Sequence, residues 1–261
     1  MKYLGILFLL STLVSSLANA QDSLYRKQTF NGTLGLTMPY RILYPENYDP
    51  LKKYPLVLLL HGAGERGTDN QKQLQWGGSV FLKPENRHTF PCFVVVPQCP
   101  VNDYWASVKF QRDKYPLDLD FNYKAYTITR ALKTAMELLD NIKENEGVDK
   151  RRIYIMGLSM GGMGTLEAVY RYPRMFAGGV AICGGGDVRA YGKEAARVPL
   201  WLFHGEKDEV VGVENSRRMR DRLKELNTEV KYTEYPNVGH NSWVNAFADT
   251  DLLPWLFIHE R

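Results

Sequence analysis

Five short apolar runs constrain what this chain can fold into. They lie at 55–60, 93–97, 153–156, 178–183 and 200–203, and none alternates with polar residues. A strand with one wet face alternates, so runs without alternation suit strands covered on both faces of a parallel sheet. Residues 229–235 are more polar and read as an edge strand, and 24–30 with 39–44 read as a hairpin around Asn31, Gly32 and Thr33. Helical patterns lie between the runs. Ile128, Ala131, Leu132, Ala135, Leu138, Leu139 and Ile142 recur at three and four residues and form one apolar stripe. Residues 160–171 and 214–226 read as further helices. Residues 243–259 read as helical in part, with an interruption at Pro254. Strands alternating with helices predict a single α/β domain, with a mainly parallel central sheet and helices on both faces. A length of 261 residues with 44% apolar content suits one such domain.

The N-terminus carries a separate signal. Lys2 precedes a mostly apolar run to about Val14, and Ala18, Asn19 and Ala20 form a small-x-small cleavage site. This pattern predicts a signal peptide at 1–20 and a catalytic domain at 21–261. The run is shorter than the ~20 apolar residues of a spanning helix, so no stable membrane insertion is expected after cleavage. The destination is periplasmic or extracellular. A net charge of +4, with no basic block, gives no case for nucleic acid. Cys92 and Cys99 flank the strand at 93–97. Its ends lie ~20 Å apart when extended, and a disulfide needs Cα atoms within ~7 Å. Free, buried thiols are expected, with a Cys99–Cys183 bridge as the alternative.

The chemistry centres on Gly157-Leu158-Ser159-Met160-Gly161-Gly162, placed between a strand and a helix. A serine framed by glycines at such a tight turn is strained and lifts its hydroxyl above the sheet, at a helix N-terminus. The same glycines could form an ordinary strand-to-helix turn, so the partners decide. A serine hydroxyl is a poor nucleophile and needs a base. His240, beyond the last strand, is the candidate; His259 reads as a surface residue, and His61 and His204 as residues that orient loops. Asp208, after the strand at 200–203, is the candidate acid, with Glu206 and Glu209 as competitors. The backbone N–H of Met160 and that of Ala63, with Gly64 as the substitute, are the candidate oxyanion donors. No paired metal-ligand spacing is present, so neither a metal nor another cofactor is expected.

Residues 60–67, Pro97-Gln98-Cys99-Pro100, the turn at 157–162, residues 204–208 and Gly239-His240-Asn241-Ser242-Trp243 resemble the secreted bacterial esterase/predicted-peptidase branch of the α/β-hydrolases. That branch is related to dienelactone hydrolase, polyhydroxybutyrate depolymerase and feruloyl or acetylxylan esterases. The resemblance implies an α/β-hydrolase fold without a large cap domain, and ester hydrolysis through an acyl-enzyme. The substrate would be a small-molecule or polysaccharide-linked ester, such as an acetyl or feruloyl ester. Two long connections, 64–91 and 99–122, are rich in aromatic residues. Trp76, Trp105, Gln98 and Trp243 are the candidate substrate-binding residues, although core packing is the commoner fate of aromatic side chains. A peptidase with the same three catalytic groups and a non-catalytic binding protein are the competing readings.

Overall fold

The computed structural model describes residues 24–111, 113–226 and 229–261. The signal peptide read at 1–20 lies outside the described residues. The large sheet has eight strands in the order β1-β2-β4-β3-β7-β8-β9-β10. These are β1 (Arg26–Asn31), β2 (Thr37–Leu43), β3 (Tyr54–Leu60), β4 (Phe93–Pro97), β7 (Val148–Leu158), β8 (Gly178–Ile182), β9 (Leu200–Gly205) and β10 (Val230–Tyr235). Strands β4, β3, β7, β8, β9 and β10 pair in parallel, whereas β2 is antiparallel to both β1 and β4. A short hairpin, β5 (Val108–Lys109) with β6 (Asp120–Phe121), stands apart from this sheet within the second long connection.

The absence of alternation in the apolar runs has a direct cause. Every residue of β3 and of β4 is buried, and successive side chains enter two different cores. Leu56, Leu58, Leu60 and Val95 face the helices α2 (Arg130–Asn145), α3 (Met160–Arg171) and α4 (Glu214–Glu225). Val57, Leu59, Val94 and Val96 face the other side, with Leu252, Leu253 and Leu256. Each fully buried aliphatic side chain contributes about 1.5–3 kcal/mol. The stripe predicted on α2 is the face that packs inward, from Ala131 to Ile142. Thr129 caps that helix, its hydroxyl accepting from Leu132 N–H at 3.1 Å.

Three details differ from the sequence expectation. The break in the C-terminal segment falls at residues 249–251, between α5 (Trp243–Ala248) and α6 (Leu252–Phe257). Pro254 sits in the first turn of α6, where its missing N–H has no acceptor to lose. The connection 64–91, for which the sequence showed no helical pattern, winds through short 3-10 turns and the helix α1 (Pro84–Thr89). β7 is also longer than its apolar centre, because it starts at Val148. Residues 183–199, between β8 and β9, hold only two 3-10 turns, so no cap domain is inserted there. Cys92, Cys99 and Cys183 are free and buried.

Candidate active site

The sharp turn from β7 into α3 carries Ser159. Its φ of 52° lies in the left-handed region, which is strained for a side chain with a Cβ. Neighbouring backbone imposes this geometry. A Cβ at Gly157 would lie 2.3 Å from Gly161 O, and one at Gly161 only 2.0 Å from Leu60 O. No side chain fits either position, so the turn can close against the end of β3 only with glycine there. Ser159 N–H donates to Ile182 O at 2.8 Å, which ties the turn to β8.

The structure brings Ser159, His240 and Asp208 together. Ser159 Oγ lies 2.9 Å from His240 Nε2. His240 Nδ1 lies 2.7 Å from Asp208 Oδ2. A carboxylate only accepts, so Nδ1 carries the proton and Nε2 is left to accept from the serine hydroxyl. Val210 N–H and Val211 N–H each donate to Asp208 Oδ1 at 2.9 Å. Burial alone would raise the Asp208 pKa, but hydrogen bonds from His204, His240 and the Val211 backbone outweigh it and hold the carboxyl well below the ordinary range. The competing carboxylate Glu206 is exposed and accepts instead from Asn237 N–H at 2.9 Å.

His204 belongs to this network more closely than its sequence context indicated. Its Nε2 lies 2.8 Å from Val211 O and 3.1 Å from Asp208 Oδ2, so it donates to both. Its Nδ1 then accepts from the Ser216 hydroxyl at 2.7 Å. Spacing gave no signal for this, because His204 lies at the end of a strand and Asp208 in the loop after it. His61 does order a loop. Cys99 N–H donates to its Nε2 at 3.0 Å, and its Nδ1 lies 2.6 Å from Gly62 O.

Ala63 opens a single 3-10 turn after β3, and Met160 opens α3 beside Ser159. N–H groups at such starts have no acceptor in a preceding turn. Arg66 holds the Ala63 loop by donating to Ala63 O at 3.0 Å and Val101 O at 3.0 Å.

A cavity of about 250 Å³ opens over Ser159 and His240. Trp76, Tyr104, Phe110 and Trp243 supply aromatic walls, and Leu158 and Val211 further apolar surface. The two tryptophans lie 5.8 Å apart, and Trp243 meets the His240 ring edge-on at 5.3 Å. Of the four candidate substrate-binding residues, Trp76 and Trp243 line this cavity, whereas Trp105 and Gln98 do not. Trp105 is fully buried, with its ring 5.4 Å from that of His61. It fills the slot left by Gly164, where a Cβ would lie 2.5 Å from Trp105 Cβ. Gln98 is also fully buried, and its amide is spent on the loop. Its Oε1 accepts from Asn70 N–H at 2.7 Å, and its Nε2 donates to Glu65 O at 3.1 Å.

Cys183, Asp208 and His240 bring ligand-capable atoms within 4.8 Å of one another. Two of these groups are already hydrogen bonded to each other, and burial pushes the Cys183 thiol well up, away from the thiolate a metal would need.

A parallel α/β sheet with this serine, histidine and carboxylate at one edge defines a serine hydrolase of the α/β-hydrolase fold. The chain belongs to the phospholipase/carboxylesterase family, whose sequence pattern spans residues 49–251. Carboxylesterase SOBER1 of Arabidopsis thaliana is 27% identical over 191 residues, which cover 71% of this chain and 82% of that protein. A solved thermostable esterase is similar at 36% identity with a TM-score of 0.83, over 92% of this chain and 64% of that longer chain. A solved ferulic acid esterase shares the fold at 17% identity, with a TM-score of 0.67 over 89% of this chain and 97% of its own. The protein is thus a serine ester hydrolase. No helix among the described residues is long and apolar enough to cross a membrane.

Proposed function

We propose that this protein is a secreted carboxylesterase that removes compact acyl groups, such as acetyl or feruloyl, from plant polysaccharide. The observation that carries the reading is the aromatic-walled cavity of about 250 Å³ directly over the Ser159–His240 pair. Aromatic faces suit a sugar or an aryl ring, and the small volume suits a short or planar acyl group over a long chain. Export rests on the leader pattern at 1–20.

In the proposed mechanism, Ser159 Oγ attacks the ester carbon while His240 Nε2 takes its proton. Asp208 keeps the His240 proton on Nδ1 and stabilises the imidazolium that forms. The developing oxyanion receives the N–H groups of Ala63 and Met160, at the positive end of α3. Collapse expels the alcohol, which takes the proton from His240 Nε2. Water then attacks the acyl-serine by the same route in reverse, with His240 again as base. Each oxyanion donor is worth about 3 kcal/mol of barrier.

Ser159→Ala tests the assignment. The variant is expected to lose hydrolysis of p-nitrophenyl acetate and labelling by a fluorophosphonate; retention of either would sink it. A side-by-side screen of p-nitrophenyl esters, methyl ferulate, acetylated xylan and peptides tests the substrate. Faster cleavage of peptides than of esters would replace the esterase reading with a peptidase.

A further inference from the structure

The cavity over Ser159 is too small for a whole acylated saccharide. At about 250 Å³ it falls below the roughly 300–1,000 Å³ of a site that encloses a drug-sized ligand. It holds a compact acyl group, and the sugars that bear the ester must lie outside it. A second cavity, of about 580 Å³, adjoins it. Tyr104 and Phe110 line both cavities, and their rings, 5.5 Å apart, form a shared wall. Asn102, Lys109, Tyr126 and Thr127 line the second cavity alone. The ester chemistry uses none of these four residues.

The charge of the second cavity is one-sided. Its charged lining residues are Arg66, Asp103 and Lys109. Both carboxylate oxygens of Asp103 are already taken by the main chain: Oδ1 accepts from Tyr104 N–H at 2.8 Å, and Oδ2 from Ala131 N–H at 2.9 Å. The Arg66 guanidinium lies 5.8 Å from the Tyr104 ring centre and donates to the carbonyls of Ala63, Val101 and Asp103 rather than to a carboxylate. Lys109 is exposed. Its Nζ stands 4.6 Å from the Tyr126 ring centre and makes no ion pair among the described residues. Asp120, opposite Lys109 on the paired strand, accepts from the Tyr126 hydroxyl instead. Two cations without a carboxylate partner, set among aromatic faces that suit a pyranose ring, fit an acidic sugar better than a neutral one. A long apolar chain fits poorly, because it would have to strip water from Arg66 and Lys109.

We propose that the second cavity is a subsite for a carboxylate-bearing sugar that flanks the scissile ester, with Lys109 as the residue that selects it. This rests on the esterase reading of the Ser159 site and narrows its substrate to an acidic polysaccharide. Lys109 recognises the flank and takes no part in breaking the ester bond.

The experiment pairs acetylated trigalacturonic acid with the same trisaccharide carrying its carboxyls reduced to alcohols, so that the two differ in charge. Acetate release gives kcat/KM for each, in the wild-type protein, Lys109→Gln and Lys109→Glu. The wild-type protein is expected to favour the acidic member by about three- to tenfold at low salt, as one or two partly exposed charge pairs allow. That preference should shrink at about 1 M salt. Lys109→Gln is expected to lower the ratio and Lys109→Glu to bring it to about one or below, while p-nitrophenyl acetate hydrolysis stays within about twofold of wild type. Each ratio is taken within one preparation, so partial misfolding of a variant cancels. Calorimetry on Ser159→Ala gives a readout independent of turnover. Trigalacturonic acid should bind, and should bind more weakly when Lys109→Glu is added; inorganic phosphate should bind more weakly than the trisaccharide. A wild-type ratio near one, a preference that survives Lys109→Glu, or phosphate binding as tight as that of the trisaccharide would each overturn the proposal. The two levels fail differently. If the wild-type protein cleaves p-nitrophenyl acetate but neither saccharide ester, the polysaccharide reading is wrong, and calorimetry still decides the subsite. If both saccharide esters are cleaved equally, only the role of Lys109 is wrong.

Discussion

Asp208→Asn reverses the hydrogen-bonding sense of one atom at the centre of the site. Oδ1 of Asp208 accepts from the backbone of Val210 and Val211 at 2.9 Å each. Backbone donors cannot reverse, so an asparagine keeps its carbonyl oxygen on that side. Its NH2 then takes the Oδ2 position, which faces His204 Nε2 at 3.1 Å and His240 Nδ1 at 2.7 Å. His204 stays a donor, because Val211 O sits 2.8 Å from the same nitrogen and only accepts. His240 is left to accept at Nδ1, which moves its proton to Nε2 and points it at Ser159 Oγ. A base already protonated on that nitrogen cannot take the serine proton. A wrong tautomer of this kind costs about 10⁴ in kcat, or ~5.5 kcal/mol of barrier. The donor facing His204 also removes about 1–3 kcal/mol of stability, so rates are compared well below the Tm of the variant. The assay is initial-rate hydrolysis of p-nitrophenyl acetate, with the rate of fluorophosphonate labelling as a second readout. Glu206→Gln, at the exposed neighbour, is the control and should lose less than about threefold. An Asp208→Asn enzyme within tenfold of wild type, or a larger loss in Glu206→Gln, would refute this reasoning.

Two further predictions concern residues outside the reacting groups. Burial lowers the His61 pKa from 6.5 to about 4. Across that window the unfolded chain binds a proton that the folded one refuses, so stability is full above pH 6.5 and falls as the pH drops towards 4, by about 3 kcal/mol. Urea unfolding at about pH 7 and about pH 4.5 should show a smaller pH dependence for His61→Gln than for wild type; equal dependence would exclude His61 as the cause. Trp105→Phe should lower the Tm through lost packing and leave acyl preferences within about twofold of wild type. A changed preference in the ester screen would mean that Trp105 contacts the substrate.

Strands β3, β4 and β9 start or end within about two residues of their apolar runs, because burial on both faces makes composition alone informative there. The turn around Ser159 was legible for a steric reason: no residue with a Cβ fits at 157 or 161. Of the four residues read from the sequence as substrate-binding candidates, only Trp76 and Trp243 line the cavity over Ser159. Gln98 and Trp105 lie near motif residues in sequence, but proximity along the chain does not set which way a side chain turns. Gln98 turns towards the backbone of residues 65 and 70, and Trp105 into the gap at Gly164. Both outcomes depend on partners far away in sequence. His204 is the converse: read as ordering a loop, it also holds the Asp208 carboxylate, a contact set by the return of the chain at Val211.

The order of the candidate residues follows from strand direction. Ala63, Ser159, Asp208 and His240 follow β3, β7, β9 and β10, which run parallel. Parallel strands end at one edge, so the loops after them meet there whatever their sequences. That is why an apolar pattern, which says nothing about chemistry, still predicts that a serine, an acid and a histidine scattered over 81 positions converge. It also explains why the pattern says little about substrate. Three of the aromatic walls of the cavity, Trp76, Tyr104 and Phe110, project from the long connections, whose course is set by individual contacts such as Arg66 to Val101 O and Gln98 to Asn70 N–H. The cavity wall can therefore change through these contacts while the sheet continues to hold Ser159, His240 and Asp208 in register.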